Sequence, residues 1–307
     1  MRKLLPALVL LVLVPAGGAA TVRSVVAPAP VLALAADGLR IAYASGRSAG
    51  DCNRVFVWHL GKRSVTKLGR RTHCEQTSTG NAIAALSLAG ERVLWLHYVG
   101  GNAREWTLWT ATTSRPLPLR LQRVTSDADS PAPIVLGEGD GTPGQDLLPY
   151  AVGRTVIALR TNGARRFTYE AGDVVVALAT AGGRLAVATR DGIVTVLDTD
   201  ANVVAGEVYT GSIDAVRLDG DRIVVQRGRT LEVRDSGARR TTWTLPARAQ
   251  LQDVAGGLAV YAVGGQVRRL ALASGAQRLL GLGTRAQAEG TRLVLAAGRH
   301  VTSTTLR

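Results

Sequence analysis

The sequence predicts an all-β fold, a single β-propeller of about seven blades of four antiparallel strands, and three observations predict it. First, one phrase recurs: an apolar segment, a turn with Gly and then Arg, and further alternating segments. It reads VLALAADGLRIAYAS at 31–45, AIAALSLAGERVLWLHY at 82–98, VVALATAGGRLAVAT at 175–189, DAVRLDGDRIVVQ at 214–226 and RAQAEGTRLVLAA at 285–297, with a weaker copy, LQDVAGGLAVYAV, at 251–263. Second, the turn glycines Gly182, Gly220, Gly256 and Gly290 follow one another at 38, 36 and 34 residues, close to the length of one blade. Third, the segments after each turn alternate with period two, as in Leu231 and Val233 against Glu232 and Arg234, and no long helical period appears.

In chain order, residues 1–20 read as a signal peptide. Arg2 and Lys3 give a basic start, Leu4 to Val14 an apolar stretch broken by Pro6, and Gly18 and Ala20 the small positions before a cleavage site. The mature chain is then expected to begin at Thr21, with 21–307 forming the propeller domain. The apolar stretch is too short to anchor the chain, and no later run approaches a membrane span. The protein is expected to be secreted or extracytoplasmic, and a monomer.

From Gly38 to Gly90 is 52 residues and from Gly90 to Gly182 is 92, so the first units carry inserts and one unit lacks the phrase. That unit fits PAPIVL (131–136), an insert, and LLPYAVGRTVIALRTNGARRFTY (147–169). The last unit supplies about three strands before Arg307. Its open edge would be an unpaired strand, and Thr21 to Pro30 is expected to fill it.

Cys52 and Cys74 are the two cysteines. In an oxidising compartment they are expected to join, a loop closure contributing about 3 kcal/mol in the chain-entropy account. Removing Arg2 and Lys3 with the leader leaves 35 basic against 23 acidic residues, a net charge of +12 that favours anionic partners. Nucleic acid is not expected, because the arginines are scattered and aromatics make up 4% of residues.

ADGLRIAYASGR (36–47) followed by NRVFVWHLGKRSVTKLG (53–69) resembles the TolB-type propeller repeat, with its DG turn before an apolar strand. RLAVATRDGIVTVLDTDANVVAGEV (184–208) is similar to the repeat of pyrroloquinoline-quinone-type propellers through Asp191, Gly192, Leu197 and Asp198. That family usually continues with Thr-Gly and a Trp, where Thr199 and Asp200 stand here. Together the resemblances imply a propeller of the broad group with WD-type and quinoprotein-like repeats. Adjacent cysteines, which quinoprotein dehydrogenases carry, are absent, and no cofactor is expected.

No zinc-protease, phosphate-loop, nucleophile-elbow or paired-cysteine motif is present, and His59, His73, His97 and His300 are far apart in sequence. Neither catalytic nor metal-binding residues are assigned. The insert GEGDGTPGQD (137–146) offers Glu138, Asp140 and Asp146 as calcium ligands, without the spacing of a known calcium loop, and reads as a solvated loop. Trp58, Trp95, Trp106, Trp109 and Trp243 read as packing between blades. Arg40, Arg92, Arg184, Arg222 and Arg292 stand at the same turn of their blades and would form a broken ring on one face. The opposite face has the longest loops and would collect Arg47, Asp51, His73, Glu75, Asn102, Arg104, Asp127 and Asp129 beside both cysteines.

The function expected from these residues is a binding or scaffold module that holds a protein or an anionic cell-envelope polymer. The rival is a propeller hydrolase or lyase working at the central channel. Clustered carboxylates with raised pKa values in that channel would favour the rival.

Overall fold

A computed structural model describes residues 22–46, 54–69, 80–235 and 240–306. The described residues form 28 strands and no helix, arranged as seven sheets of four antiparallel strands. This is a seven-bladed β-propeller. The innermost strands, in blade order, are Val31–Asp37, Asn81–Ala89, Ile134–Leu136, Val175–Ala181, Ala215–Asp219, Gln250–Ala255 and Arg285–Glu289. Each is followed outward by the next three strands of its blade, except in blade 7.

Blade 7 takes its outermost strand from the other end of the chain. Arg23–Val26 pairs with His300–Thr305, Arg23 opposite Ser303 and Val26 opposite His300, so the N-terminal segment closes the ring as the sequence leads one to expect. Blade 3 is the unit without the recurring phrase, with strands Ile134–Leu136, Leu148–Val152, Thr155–Leu159 and Arg165–Glu170.

The core consists of seven wedges, one between each pair of neighbouring blades. Ala42, Val57 and Leu68 of blade 1 meet Ile83, Leu88 and Trp95 of blade 2. Tyr43, Phe56 and Trp58 pack against Val294 and Val301 across the closure. The other tryptophans join such wedges too: Trp106 with blade 3, Trp109 beside the blade 1 wedge and Trp243 with blade 6. A blade with period-two patterning buries both faces against neighbours, which is why its middle strands are buried at four or five successive residues and its fourth strand alternates exposed with half-buried.

The hairpin between first and second strands is a two-residue turn in most blades, with Ala89 opposite Arg92 and Asp219 opposite Arg222. Its first position has positive φ, 55° at Gly90. A Cβ at Gly38 or Gly182 would meet nothing within 4 Å, so dihedral angle and not crowding demands glycine there.

Candidate functional site

The propeller has two faces and an axial channel, and arginine is used differently in each. On the face of the first-to-second-strand turns, carboxylates of one blade hold the turn of the next. Glu289 accepts from the N–H of Gly38 at 2.8 Å, Asp37 from Gly90 at 2.5 Å and Gly141 at 3.2 Å, and Asp140 from Gly183 at 3.1 Å. Asp219 accepts from Gly256 at 3.1 Å and Gly257 at 2.8 Å.

Arg40, Arg92, Arg184, Arg222 and Arg292 do lie together at this edge, but as structural pairs. Arg40 holds Glu91 of blade 2 at 3.2 Å, Arg184 pairs with Asp221 of blade 5, Arg222 with Asp219 and Asp235, and Arg292 with Glu289. Arg92 donates to the carbonyls of Thr161 and Asn162 in blade 3. Four of the five arginines of the broken ring are therefore neutralised where they stand, and Arg92 is tied to carbonyls instead.

The insert of blade 3 is a solvated loop only at 142–145; the rest of it is buried or half-buried. Residues 137–141 fold inward over the channel mouth, where a Cβ on Gly139 would lie 2.2 Å from the carbonyl oxygen of Leu88; this close approach is what its glycine permits. Its acids diverge to separate partners: Glu138 to Arg217 at 2.8 Å, Asp140 to the N–H groups of Thr142 and Gly183, and Asp146 to the hydroxyl and N–H of Thr161. Among the described residues no three side chains of His, Cys, Asp or Glu gather about a cation position. Burial works to raise the Asp146 carboxyl, but the Thr161 bonds and Arg166 hold it below the usual range.

Among the described residues, three cavities that share lining residues follow one another along the axis. The mouth cavity, about 280 Å³, is lined by Asp37, Glu138, Asp140, Asp219, Asp253 and Glu289 and, among the described residues, by no Lys or Arg. The middle cavity, about 150 Å³, has apolar walls from Leu34, Leu86, Leu136 and Leu178, faced by Glu138, Arg217, Gln252, Arg285 and Gln287. The third, about 650 Å³, opens towards the other face between blades 3 and 6. Burial pushes up the carboxyls of Glu138, opposed by Arg217, and of Asp253, helped by the charge of Glu138. Asp253 nonetheless accepts from the N–H of Val254 and of Ala288, each at 2.7 Å.

On the face of the second-to-third-strand turns, arginine recurs in alternate blades with one geometry. Nε of Arg154 donates to Ala171 O at 3.1 Å, Nε of Arg229 to Leu245 O at 3.2 Å and Nε of Arg299 to Ala27 O at 2.9 Å. In each case the N–H of the same partner residue returns to the arginine's carbonyl. All three side chains are exposed, and their Nη groups meet no protein acceptor among the described residues. Arg190 and Arg248 are exposed on the same face.

Of the residues expected to collect there, Asn102, Arg104, Asp127 and Asp129 lie together at the end of blade 2. Arg104 sits over the Tyr98 ring at 5.2 Å, and Asn102, Asp127 and Asp129 are exposed. Arg47, Asp51, His73, Glu75, Cys52 and Cys74, and residues 1–20 that were expected to form a signal peptide, lie outside the described residues. Sequence reasoning missed Arg154, Arg229 and Arg299. Their signal was a second small repeat, VGRTV, RGRTL and AGRHV.

No known protein family matches the chain, and no curated protein does. Among solved structures it is similar to a chain in the crystal structure of the mitotic checkpoint complex, with TM-score 0.58 and 13% identity over 99% of this chain and 98% of that one. It is also similar to the computationally designed Ika8 protein, with TM-score 0.49 and 12% identity over 91% of this chain and 97% of that one. The first likeness agrees with the propeller fold.

Proposed function

We propose that this chain is an exported, non-catalytic binding propeller, within the group of TolB-type and quinoprotein-like repeats, whose face of second-to-third-strand turns holds an anionic envelope polymer. The observation that carries the reading is the alternation of Arg154, Arg229 and Arg299. Each guanidinium is fixed through Nε to a backbone carbonyl, so little side-chain freedom remains to be lost when its outer N–H groups meet an anion. The excess of basic over acidic residues supports attraction to a polyanion. The pattern of residues 2–20 supports export. An acidic protein surface is the alternative occupant, in keeping with the assembly in which the similar chain of the mitotic checkpoint complex was crystallised.

The test is retention of poly(glycerol phosphate) and of a polyuronate on the immobilised chain from Thr21, eluted with salt. The reading expects saturable retention of at least one, released by salt and lost in the Arg154→Gln, Arg229→Gln, Arg299→Gln variant. Retention of neither polymer, with capture of one acidic protein that the variant loses, would move the occupant to protein. Unchanged retention in the variant would overturn the choice of face.

A second reading, a propeller hydrolase or lyase, has one observation behind it: Glu138 and Asp253, both pushed up by burial, face the channel mouth. Against it stands their engagement, Glu138 with Arg217 and Asp253 with two backbone N–H groups. Turnover of any glycoside or ester substrate that is abolished in Glu138→Gln would favour it.

A further inference from the structure

The channel carries a second feature, independent of the polymer-binding face. Arg217 of blade 5 and Arg285 of blade 7 are fixed in the same way. Nε of Arg217 donates to Gln252 O at 2.9 Å and its Nη1 to Val216 O at 2.7 Å; Nε of Arg285 donates to Leu32 O at 3.1 Å and its Nη1 to Thr284 O at 3.2 Å. Each thus grips the innermost strand of the next blade and its own preceding carbonyl. Nη2 of neither meets a protein acceptor among the described residues.

Both arginines line the middle cavity, where Glu138 is the one carboxylate in the lining. Glu138 is taken by Arg217, and Arg285 pairs with no carboxylate among the described residues. The apolar part of the wall is leucine and alanine, with Gln252 and Gln287 as neutral polar groups. Leu136, Leu178, Arg217 and Gln252 also line the wide third cavity, which adds Val135 and Val176 on the apolar side and Asp214, Gln226 and Arg248 on the polar side. A path therefore runs from the open face, along an apolar wall, to a fixed guanidinium. The far end is closed by the insert and by six carboxylates, which repel an anion.

We propose that the mid-channel is a binding site for an unbranched aliphatic carboxylate, its head held by Arg285 beside Arg217 and its tail laid along Leu136, Val176 and Leu178. Guanidinium recognises carboxylate by charge-assisted hydrogen bonds, and a tail against leucine gains about fourfold in affinity per methylene buried. Neither property alone gives the combination; a surface arginine would not discriminate tail length.

Calorimetric titration of the chain from Thr21 with hexanoate, octanoate and octanamide tests it. Octanoate is expected to bind with one-to-one stoichiometry, about fourfold tighter per methylene than hexanoate, and octanamide roughly tenfold or more weaker. Arg285→Gln should lose roughly tenfold or more for octanoate and leave octanamide unchanged. Because Arg285 also ties blade 7 to blade 1, Val176→Phe provides a second check: Val176 takes no part in the hydrogen bonds that fix either guanidinium, and the larger side chain should weaken octanoate by obstructing the tail. Equal binding of octanoate and octanamide, or no binding of octanoate by natively melting protein, overturns the site. The Arg154, Arg229 and Arg299 variant should bind octanoate normally, so failure of the polymer reading and failure of this one are separately visible.

Discussion

The two faces of the disc use arginine from equivalent turns of the repeat and reach opposite results. On the face of the first-to-second-strand turns, four arginines, Arg40, Arg184, Arg222 and Arg292, end on carboxylates and a fifth, Arg92, on carbonyls, while Asp37 and Asp219 hold glycine turns of the next blade. On the other face, Arg154, Arg229 and Arg299 end on carbonyls, which fix the side chain without cancelling its charge. The difference teaches that the partner, and not the residue type or its place in the repeat, decides whether a repeated arginine seals a structure or offers it to a ligand. One face closes the propeller; the other leaves its cations presented.

The largest expected effect breaks the comparison at the level of binding. Replacing Arg154, Arg229 and Arg299 with Gln should lower affinity for a retained polyanion by roughly a hundredfold, read by salt-gradient elution and by titration. The matched change of Arg40, Arg184 and Arg292 to Gln should move it by less than about threefold, through long-range charge alone. Equal losses from the two sets would remove the distinction between the faces.

Stability should divide the other way. Asp219→Ala orphans the N–H groups of Gly256 and Gly257 and removes one of the two carboxylates that hold Arg222, at a cost of about 2 kcal/mol, which is roughly 3 °C in Tm for a domain of this size. Arg229→Ala removes one bond to Leu245 O while the backbone pair of the same residues survives, a cost of about 1 kcal/mol. Thermal melts of the two variants side by side would show whether the carboxylate face is the one that holds blades together.

How much of this was legible in the sequence varies along the chain. Blades 4 to 7 could be read from glycine spacing because nothing interrupts them, and the closure by Arg23–Val26 followed from the open edge of the last blade. Blade 3 was harder to see because an eleven-residue connection, 137–147, separates a first strand of three residues from its second. The role of that connection was invisible. Gly139 is needed because Leu88 O lies against it, and Leu88 belongs to another blade. The same limit governs charge. The arginines were legible, but Arg40 and Arg184 find their partners on neighbouring blades, and the bond from Gly38 to Glu289 joins residues 251 apart in sequence. Period and turn chemistry are local; pairing across blades is not.

The smallest expected effect concerns the acid that joins the closed face to the channel. Glu138 is pushed above its ordinary value of 4.5 by burial, with Arg217 opposing. Its folded pKa then exceeds its unfolded one, so the native state binds the extra proton in the window between them, and stability falls as pH rises through that window. Below about pH 4.5 the carboxyl is protonated in both states and the group behaves as an amide would. In Glu138→Gln this contribution is gone, while the acceptor facing Arg217 is kept. The difference in Tm between wild type and Glu138→Gln, measured at pH 4 and again at pH 7, should therefore shift against the wild type at the higher pH, by a few degrees at most. A shift in its favour would mean that Arg217 outweighs burial at Glu138, and that the channel centre is held by the ion pair itself instead of by the fit of the insert around it.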